Sequence, residues 1–370
     1  MKVLHLLSST GYHGAENMVA ELIHQLSELG VKNYLGVFDN GINSNMDILK
    51  VAHPFVQDCV SFPCHGKVNL KTVLLLRKYA KDHAIDILHS HKYKTNVYAL
   101  LASRLAPWRL VSTCHNWLGR SLNMRLYTLL DKRVLRGFDA VVGVSDEVAL
   151  ELRRHINSHK VRKIENGVDI RKYGRLIDKK DARKNLGLED KQVIGFVGRL
   201  VPDKGISYLL RAIQTPLLGG DDFYTLIVGS GDYDEVLKEE VSSLGIDDKV
   251  IFTGNRTDMP SIYASMDIFV LPSLKEAFPM TILEAMACGV PVVATRVGDI
   301  PKIIEHNVSG ILIDPKDINA LSRAIHELLI QPDKAEQIGR TAHETATKSH
   351  SSLLMAEKYQ ALYQQVMNHN

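Results

Sequence analysis

Short apolar runs alternate with longer amphipathic segments along the whole of this chain. Runs of this kind are typical of buried parallel strands, and the amphipathic segments between them are typical of covering helices. The runs form two series of predicted strands, at 3–7, 34–38, 87–89, 110–114 and 140–144, and at 193–197, 225–228, 250–252, 268–271, 292–294 and 310–313. The pattern therefore predicts an α/β protein with two doubly wound, Rossmann-like domains that face each other across a cleft.

The length of 370 residues agrees with two domains at about 150 residues each. We place the N-terminal domain at 1–168 and the C-terminal domain at 169–347. The composition of the charged segment 170–191 predicts a linker followed by a surface helix. A last helical pattern, within 348–370, has no strand after it. We expect that helix to pack back on the N-terminal domain.

Composition and charge exclude several classes of protein. The formal net charge of +3 is too small to indicate nucleic-acid binding. The first apolar run is broken by His5, unlike a signal peptide, and no stretch approaches the roughly 18–20 apolar residues of a membrane span. We expect a cytoplasmic protein, with peripheral membrane contact left open. The set His53, Cys59, Cys64 and His65 matches no familiar zinc spacing.

Two carboxylates, Glu276 and Glu284, bracket the segment 277–283, which leads into an apolar helical run. A loop that enters a helix presents unpaired backbone N–H groups and the positive end of the dipole, which favour an anion. Glu276 precedes the predicted helix, and Glu284 lies about two turns further on. The spacing suits a phosphate between two hydroxyl-rich groups, as in a nucleotide sugar.

Glycines and cations follow two other predicted strands. Arg199 and Lys204 come just after the strand at 193–197, where two positive charges fit a diphosphate, although solvated surface cations are the common alternative. Gly11 and Gly14 follow the first strand and would allow a backbone to approach a phosphate closely, although a plain turn is the alternative.

In this order, Gly198-Arg199, Lys204-Gly205 and the Glu276–Glu284 pair resemble the retaining family 4 glycosyltransferases of the GT-B fold. The resemblance covers nearly the whole chain. Supporting matches are Gly14-Ala15-Glu16, Asn166-Gly167-Val168-Asp169, Val228-Gly229-Ser230-Gly231, Phe252-Thr253-Gly254 and Leu271-Pro272-Ser273. The resemblance implies sugar transfer from a UDP-sugar or GDP-sugar to a hydroxyl of a glycan, glycolipid or lipid-linked acceptor, in bacterial surface polysaccharide or glycolipid biosynthesis.

The resemblance also implies roles for individual residues. Arg199 and Lys204 would bind the diphosphate and stabilise the departing charge. Glu276 would contact the donor sugar, Glu284 the ribose, and His115 the sugar near the transfer site. Further expected donor-binding positions are Gly14, Gly198, Gly229, Phe278, Met280, Thr281 and Ile282, and candidates for the acceptor side are His13, His89, His91, Asn116 and Arg120.

Departures from the family pattern bear on specificity and on metal use. Glycines are common in the family at the positions of His13, Ala277 and Pro279. These departures leave the identity of the donor sugar undetermined. Asp232-Tyr233-Asp234 has the Asp-x-Asp form of a metal site, but acidic residues also suit the first turn of a helix. Because Arg199 and Lys204 already provide positive charge, we expect no metal and no cofactor.

Basic and apolar residues interleave at helical spacing in the segment 117–136. Such a segment could bind to anionic lipid or to a phosphorylated acceptor, or it could simply pack its apolar face on its own sheet.

The alternatives to a transferase are a nucleotide-sugar epimerase or hydrolase on the same fold, a nicotinamide-dependent oxidoreductase, and a non-catalytic nucleotide-sugar binding module.

Overall fold

The computed structural model describes residues 1–8, 14–41, 46–64, 66, 69–104, 106–115, 122–174, 177–188, 191–219 and 222–368, with the backbone alone at 122–126. The chain divides into two compact units. Unit 1 comprises Met1–Gly167 and Ser352–Asn370, and unit 2 comprises Val168–Ser351. The divisions predicted after residues 168 and 347 thus lie one and four residues from those observed, after 167 and 351.

Unit 1 contains a parallel sheet of seven strands in the order β3-β2-β1-β4-β5-β6-β7. Its strands are β1 Lys2–Leu7, β2 Lys32–Asp39, β3 Asp58–Pro63, β4 Ile87–Ser90, β5 Arg109–Cys114, β6 Ala140–Gly143 and β7 Val161–Lys163. The two strands that the apolar pattern did not predict, β3 and β7, lie at the two edges. Most of their residues are only partly buried, so they lack the continuous apolar run of a central strand.

Helices connect these parallel strands, as crossovers between parallel strands require. They are α1 Gly14–Glu28, α2 Asp47–Ala52, α3 Leu70–Asp82, α4 Tyr93–Ser103, α5 Leu122–Val134 and α6 Asp146–Arg153, with single 3-10 turns at His53–Phe55, Leu135–Gly137 and Ser158–Lys160. The side chain of Asn69 caps α3, and that of Ser145 caps α6. These caps satisfy backbone N–H groups that a helix start otherwise leaves unpaired.

Unit 2 repeats this arrangement with six parallel strands in the order β10-β9-β8-β11-β12-β13. The strands are β8 Gln192–Val197, β9 Phe223–Val228, β10 Val250–Gly254, β11 Ile268–Leu271, β12 Val292–Thr295 and β13 Ile311–Ile313. The helices are α7 Ile170–Tyr173, α8 Lys179–Lys184, α9 Ile206–Ile213, α10 Asp234–Leu244, α11 Met259–Ser265, α12 Met280–Ala287, α13 Ile300–Ile303, α14 Ile318–Ile330 and α15 Pro332–Ser349, with a 3-10 turn at Pro202–Lys204. The prediction of two parallel α/β sheets is confirmed.

Both sheets reverse their strand order at one position, between β1 and β4 in unit 1 and between β8 and β11 in unit 2. At such a switch point the connections leave the two neighbouring strands in opposite directions, and a crevice opens at their carboxyl ends. The switch point of unit 2 therefore lies between the loop that carries Lys204 and the loop that carries Glu276.

The last helix, α16 (Ser352–Asn368), belongs to unit 1 and contacts α1. Two buried tyrosines join it to the sheet. The hydroxyl of Tyr363 lies 2.6 Å from Nδ1 of His89, and the hydroxyl of Tyr359 lies 2.8 Å from Oγ1 of Thr113. These hydrogen bonds connect the end of the chain to β4 and β5.

Candidate active site

Glycines line the ends of the first two strands of unit 2. Gly198 follows β8 and Gly229 follows β9, and the N–H of Gly198 donates to the carbonyl of Val228 at 3.0 Å. Gly229 has a φ of 130°, and a Cβ added there would lie 1.9 Å from the carbonyl oxygen of Gly198. A side chain cannot fit between these two backbones. Glycine at 229 is therefore required for the strand ends to pack together.

The turn after β8 carries two cations in different environments. Arg199 is exposed and, in the part of the chain that the structure describes, its side chain forms no ion pair. Lys204 ends the turn at Pro202–Lys204, which Gly205 terminates with a φ of 67°. A Cβ on Gly205 would lie 2.1 Å from the carbonyl oxygen of Pro272, so this turn packs directly on the segment that follows β11.

The Glu276 carboxylate receives two donors on one oxygen. Nζ of Lys204 lies 2.5 Å from Oε1, and the hydroxyl of Ser273 donates to the same Oε1 at 2.7 Å. The Lys204 and Glu276 side chains are 19% and 10% exposed, so water screens the pair only in part. The sequence predicted a role for each residue but not their contact. The structure brings them together because β8 and β11 are neighbours in the sheet.

Helix α12 begins at Met280, and no side chain caps its first turn. The residue before it is Pro279, which has no side-chain hydrogen-bond acceptor, so first-turn N–H groups remain available. The side chains of Phe278, Met280 and Ile282 are buried. Their predicted contribution to donor binding is thereby restricted to the backbone. Oγ1 of Thr281 is buried and has no hydrogen-bond partner among the described residues.

Glu284 is 5% exposed and accepts a hydrogen bond from the hydroxyl of Tyr263 at 2.7 Å. Burial, and then the neighbouring carboxylate of Glu284, hold the pKa of Tyr263 well above its usual value. The tyrosine therefore stays protonated and donates to the carboxylate. Tyr263 lies in α11, and nothing in the sequence marked it as a partner of Glu284, because the contact forms only when α11 and α12 pack together.

His115 and Gly14 belong to unit 1, whereas the cations and carboxylates described above belong to unit 2. His115 directly follows β5, and its Nε2 is buried without a partner among the described residues. Burial, and then the Lys92 ammonium, lower the pKa of His115 to about 4. Its ring is therefore neutral at pH 7. Gly14 is exposed and begins α1.

His89 and His91 lie in the core of unit 1. His89 is 0% exposed, and both its ring nitrogens are hydrogen-bonded, to Tyr363 and to Thr113. Since it has neither exposure nor a spare nitrogen, its predicted place on the acceptor side is wrong. His91 is 1% exposed, and its Nε2 lies 3.2 Å from Nδ1 of His5.

The predictions for His13, Asn116 and Arg120 lie outside the described residues. His5, His89 and His91 are close enough to share a metal ion by distance alone. Both nitrogens of His5 and of His89 already have hydrogen-bond partners among protein groups, so neither ring has a free nitrogen for a metal in this arrangement. Of the Asp-x-Asp motif, Asp234 begins α10, as expected for an acidic first turn.

Comparison with known proteins gives consistent results over both units. Residues 178–345 match the family described as Glycosyl transferases group 1, and residues 12–172 match Glycosyltransferase Family 4. D-inositol 3-phosphate glycosyltransferase of Salinispora arenicola is 31% identical over 364 residues, which cover 86% of this chain and 80% of that protein. The UDP-Gal:alpha-D-GlcNAc-diphosphoundecaprenol alpha-1,3-galactosyltransferase of Escherichia coli is 29% identical over 272 residues, 70% of each chain.

Solved structures agree on the fold. The crystal structure of Anabaena HepE in complex with UDP and glucose superposes with a TM-score of 0.87 at 24% identity and covers 99% of this chain and 100% of that one. This likeness confirms the predicted GT-B fold.

Proposed function

This chain belongs to glycosyltransferase family 4, and from that premise we propose that it transfers a sugar from a nucleotide-diphosphate donor to a hydroxyl group, with retention of anomeric configuration and without a metal ion. The observation that carries the proposal is the cluster at the switch point of unit 2. There Lys204, Glu276 and the uncapped start of α12 come from neighbouring strands and face one edge of the sheet.

Each part of this cluster suits one part of the donor. Arg199, Lys204 and the first-turn N–H groups of α12 provide positive charge and hydrogen-bond donors for a diphosphate. They would also stabilise the charge that develops on the leaving group, which is the main task of catalysis in such a transfer. This set of cations makes a metal unnecessary for charge neutralisation. Glu276 would accept hydroxyls of the sugar, and Glu284 those of the ribose.

From unit 1 we assign Gly14 to the donor side and His115 to the sugar near the transfer site. A neutral imidazole can both donate and accept a hydrogen bond, which suits a hydroxyl-bearing ligand. We propose a UDP-sugar as the first donor to test and a GDP-sugar as the second, since HepE binds UDP and the E. coli relative is named for UDP-Gal. We propose a glycan, glycolipid or lipid-linked acceptor.

A thermal-shift screen tests the donor. UDP-glucose, UDP-galactose, GDP-mannose and ADP-glucose are added to the wild type and to Glu276→Ala. A donor at 100 times its dissociation constant should stabilise the wild type by about 2.7 kcal/mol. If none of these donors, UDP or GDP shifts the melting temperature, the proposed site is wrong. Release of free sugar or of an epimer as the sole product, with candidate acceptors present, would instead support the hydrolase or epimerase alternative.

We also propose that unit 1 contacts an anionic membrane. None of the described helices combines the length and apolar content of a membrane span. Helix α4 contacts both α3 and α5, and exposed large apolar side chains occur on all three helices. They are Leu70, Leu74, Leu75, Tyr93, Leu129 and Leu130. Exposed basic residues accompany them, namely Lys71, Lys78, Lys81, Arg133 and Arg136.

Apolar side chains interleaved with cations are typical of helices that lie on an anionic bilayer surface. Co-sedimentation with phosphatidylglycerol vesicles should therefore exceed that with phosphatidylcholine vesicles and fall with salt. Leu74→Glu should weaken it, whereas Leu150→Glu, at a 54% exposed leucine of α6, should not. Equal binding to neutral vesicles in high salt would contradict the proposal.

A further inference from the structure

Ser273 and Thr295 form a buried hydrogen-bonded chain that ends on the Glu276 carboxylate. Ser273 is 0% exposed and Thr295 is 1% exposed. The Thr295 hydroxyl donates to the Ser273 carbonyl at 2.6 Å, and the Ser273 hydroxyl donates to Oε1 of Glu276 at 2.7 Å. Thr295 is the last residue of β12, and Ser273 follows the adjacent strand β11. The chain thus crosses the carboxyl ends of two neighbouring strands.

The two oxygens of Glu276 have different surroundings. Oε1 accepts from both the Ser273 hydroxyl and the Lys204 ammonium. Across the described ranges of the chain, no hydrogen bond reaches Oε2. A carboxylate only accepts, and each oxygen has room for about two donors. Oε1 is therefore occupied, and Oε2 keeps its full capacity to accept from a hydroxyl.

The backbone near Glu276 is held by contacts that do not involve the Ser273 hydroxyl. A Cβ on Gly298 would lie 2.1 Å from the Glu276 carbonyl oxygen, so the loop after β12 packs directly on this backbone. The N–H of Asp299 donates to the carbonyl of Ala277 at 3.2 Å. The Ser273 hydroxyl consequently acts on the carboxylate rather than on the path of the loop.

We propose that Ser273 and Thr295 are positioning residues, which orient Glu276 so that Oε2 accepts a hydroxyl of the donor sugar. This inference rests on the proposed function, which makes Glu276 the sugar contact. A glutamate side chain held in one rotamer loses less entropy on binding than a mobile one. Lys204 uses one of its three N–H donors on Oε1 and retains two for a diphosphate.

Calorimetry with UDP-glucose and with UDP separates the sugar contact from the nucleotide contacts. If the screen selects a guanosine donor, GDP-mannose and GDP replace them. Ser273→Ala should weaken UDP-glucose binding about tenfold or more and change UDP binding less than about twofold, because only the sugar meets Glu276. Thr295→Val should act in the same direction and less strongly. Ser273→Ala should add nothing to Glu276→Ala.

A matched control is Ser265→Ala. Ser265 is 0% exposed, and its hydroxyl donates to the Ile262 carbonyl at 2.7 Å, a bond that stays within α11 and does not involve the Glu276 loop. This variant should bind both ligands as the wild type does. Circular dichroism checks that each variant folds, and Ser273→Cys and Thr295→Val carry the test if Ser273→Ala does not fold.

The outcomes distinguish the inference from the proposed function. If Glu276→Ala weakens the binding of UDP-glucose and of UDP equally, or weakens the binding of neither, Glu276 is not the sugar contact and the role proposed for it is wrong. If Glu276→Ala weakens the binding of UDP-glucose more than that of UDP, but Ser273→Ala and Thr295→Val bind UDP-glucose like the wild type, only the positioning role is wrong. If Ser273→Ala loses the same affinity for both ligands, the serine acts on the fold rather than on the sugar contact, which also overturns the inference.

Discussion

The Lys204 ammonium lies 2.5 Å from Oε1 of Glu276, and this ion pair joins the turn after β8 to the loop after β11. Lys204 is thus partly buried and paired, whereas Arg199, five residues earlier, is exposed. Two cations that look equivalent in the sequence therefore differ in what they do for the fold. We therefore expect Lys204 to contribute both to the stability of the fold and to charge stabilisation of the leaving group, and Arg199 to contribute to charge stabilisation alone.

Replacement of each cation by alanine should separate these contributions. Both Lys204→Ala and Arg199→Ala should raise the activation free energy of transfer by about 2–4 kcal/mol, since each removes charge stabilisation of the leaving group. Only Lys204→Ala should also destabilise the protein, by about 1–3 kcal/mol, because it leaves a partly buried carboxylate without its cation. Initial rates and urea unfolding followed by circular dichroism measure the two effects. Wild-type kinetics in either variant would refute the assignment.

Gly229 and Gly245 form a matched pair for testing the packed strand ends. Both have positive φ, 130° and 65°, but a Cβ on Gly245 meets nothing within 4 Å. Gly245→Ala should therefore cost only the strain of the left-handed backbone, about 1–2 kcal/mol. Gly229→Ala should cost a further 1–3 kcal/mol or so, because its Cβ overlaps the Gly198 carbonyl. Equal losses in urea unfolding would show that the close approach of the two backbones is not important.

Acid should destabilise unit 1 through its buried histidines. Burial lowers the pKa of His5 to about 4 and holds the pKa values of His89 and His91 well below normal. The unfolded chain takes up these protons near pH 6.5, so the stability from the neutral rings is complete above that pH. It is lost as the pH falls from 6.5 towards 4, by about 1.4 kcal/mol per pH unit for each ring.

Trp108 lies in unit 1, so its fluorescence reports on the unfolding of this unit. Urea unfolding at several pH values between 7.5 and 5 gives the slope of the unfolding free energy against pH. The slope is proportional to the number of protons taken up on unfolding, and His89→Gln should reduce that number by about one. His159→Gln, at an exposed position, should not. A slope that is the same in His89→Gln and in the wild type would contradict the interpretation.

The hydroxyl of Tyr363 should contribute measurably to the attachment of α16. Tyr363→Phe leaves Nδ1 of His89 buried without its partner, which should cost about 1–3 kcal/mol. Tyr93→Phe is the control, because Tyr93 is 43% exposed and should change stability by less than about 0.5 kcal/mol. Tryptophan fluorescence during urea unfolding compares the two. If both variants are as stable as the wild type, the hydrogen bond is not important for stability.

The central strands of both sheets were predictable from the sequence because they are buried on both faces. A strand covered on both sides must be apolar at nearly every position, so runs such as 193–197 stand out. The edge strands β3 and β7 were not predictable, since exposed positions in β3 and half-buried positions in β7 break the run. Strand order was likewise outside the reach of the apolar pattern, which does not specify neighbours.

The order of short motifs was sufficient to identify the family and to name Arg199, Lys204, Glu276 and Glu284 as candidates. These motifs are local, and local backbone requirements such as glycine at 229 leave a mark in the sequence. The contacts between the candidates leave no such mark. Whether Lys204 meets Glu276, whether Tyr263 holds Glu284, and whether His89 is buried all depend on how elements distant in the sequence pack together. Periodicity and motif order therefore determined the fold class and family of this protein, whereas tertiary packing alone decided which side chains are paired and which remain available for a ligand.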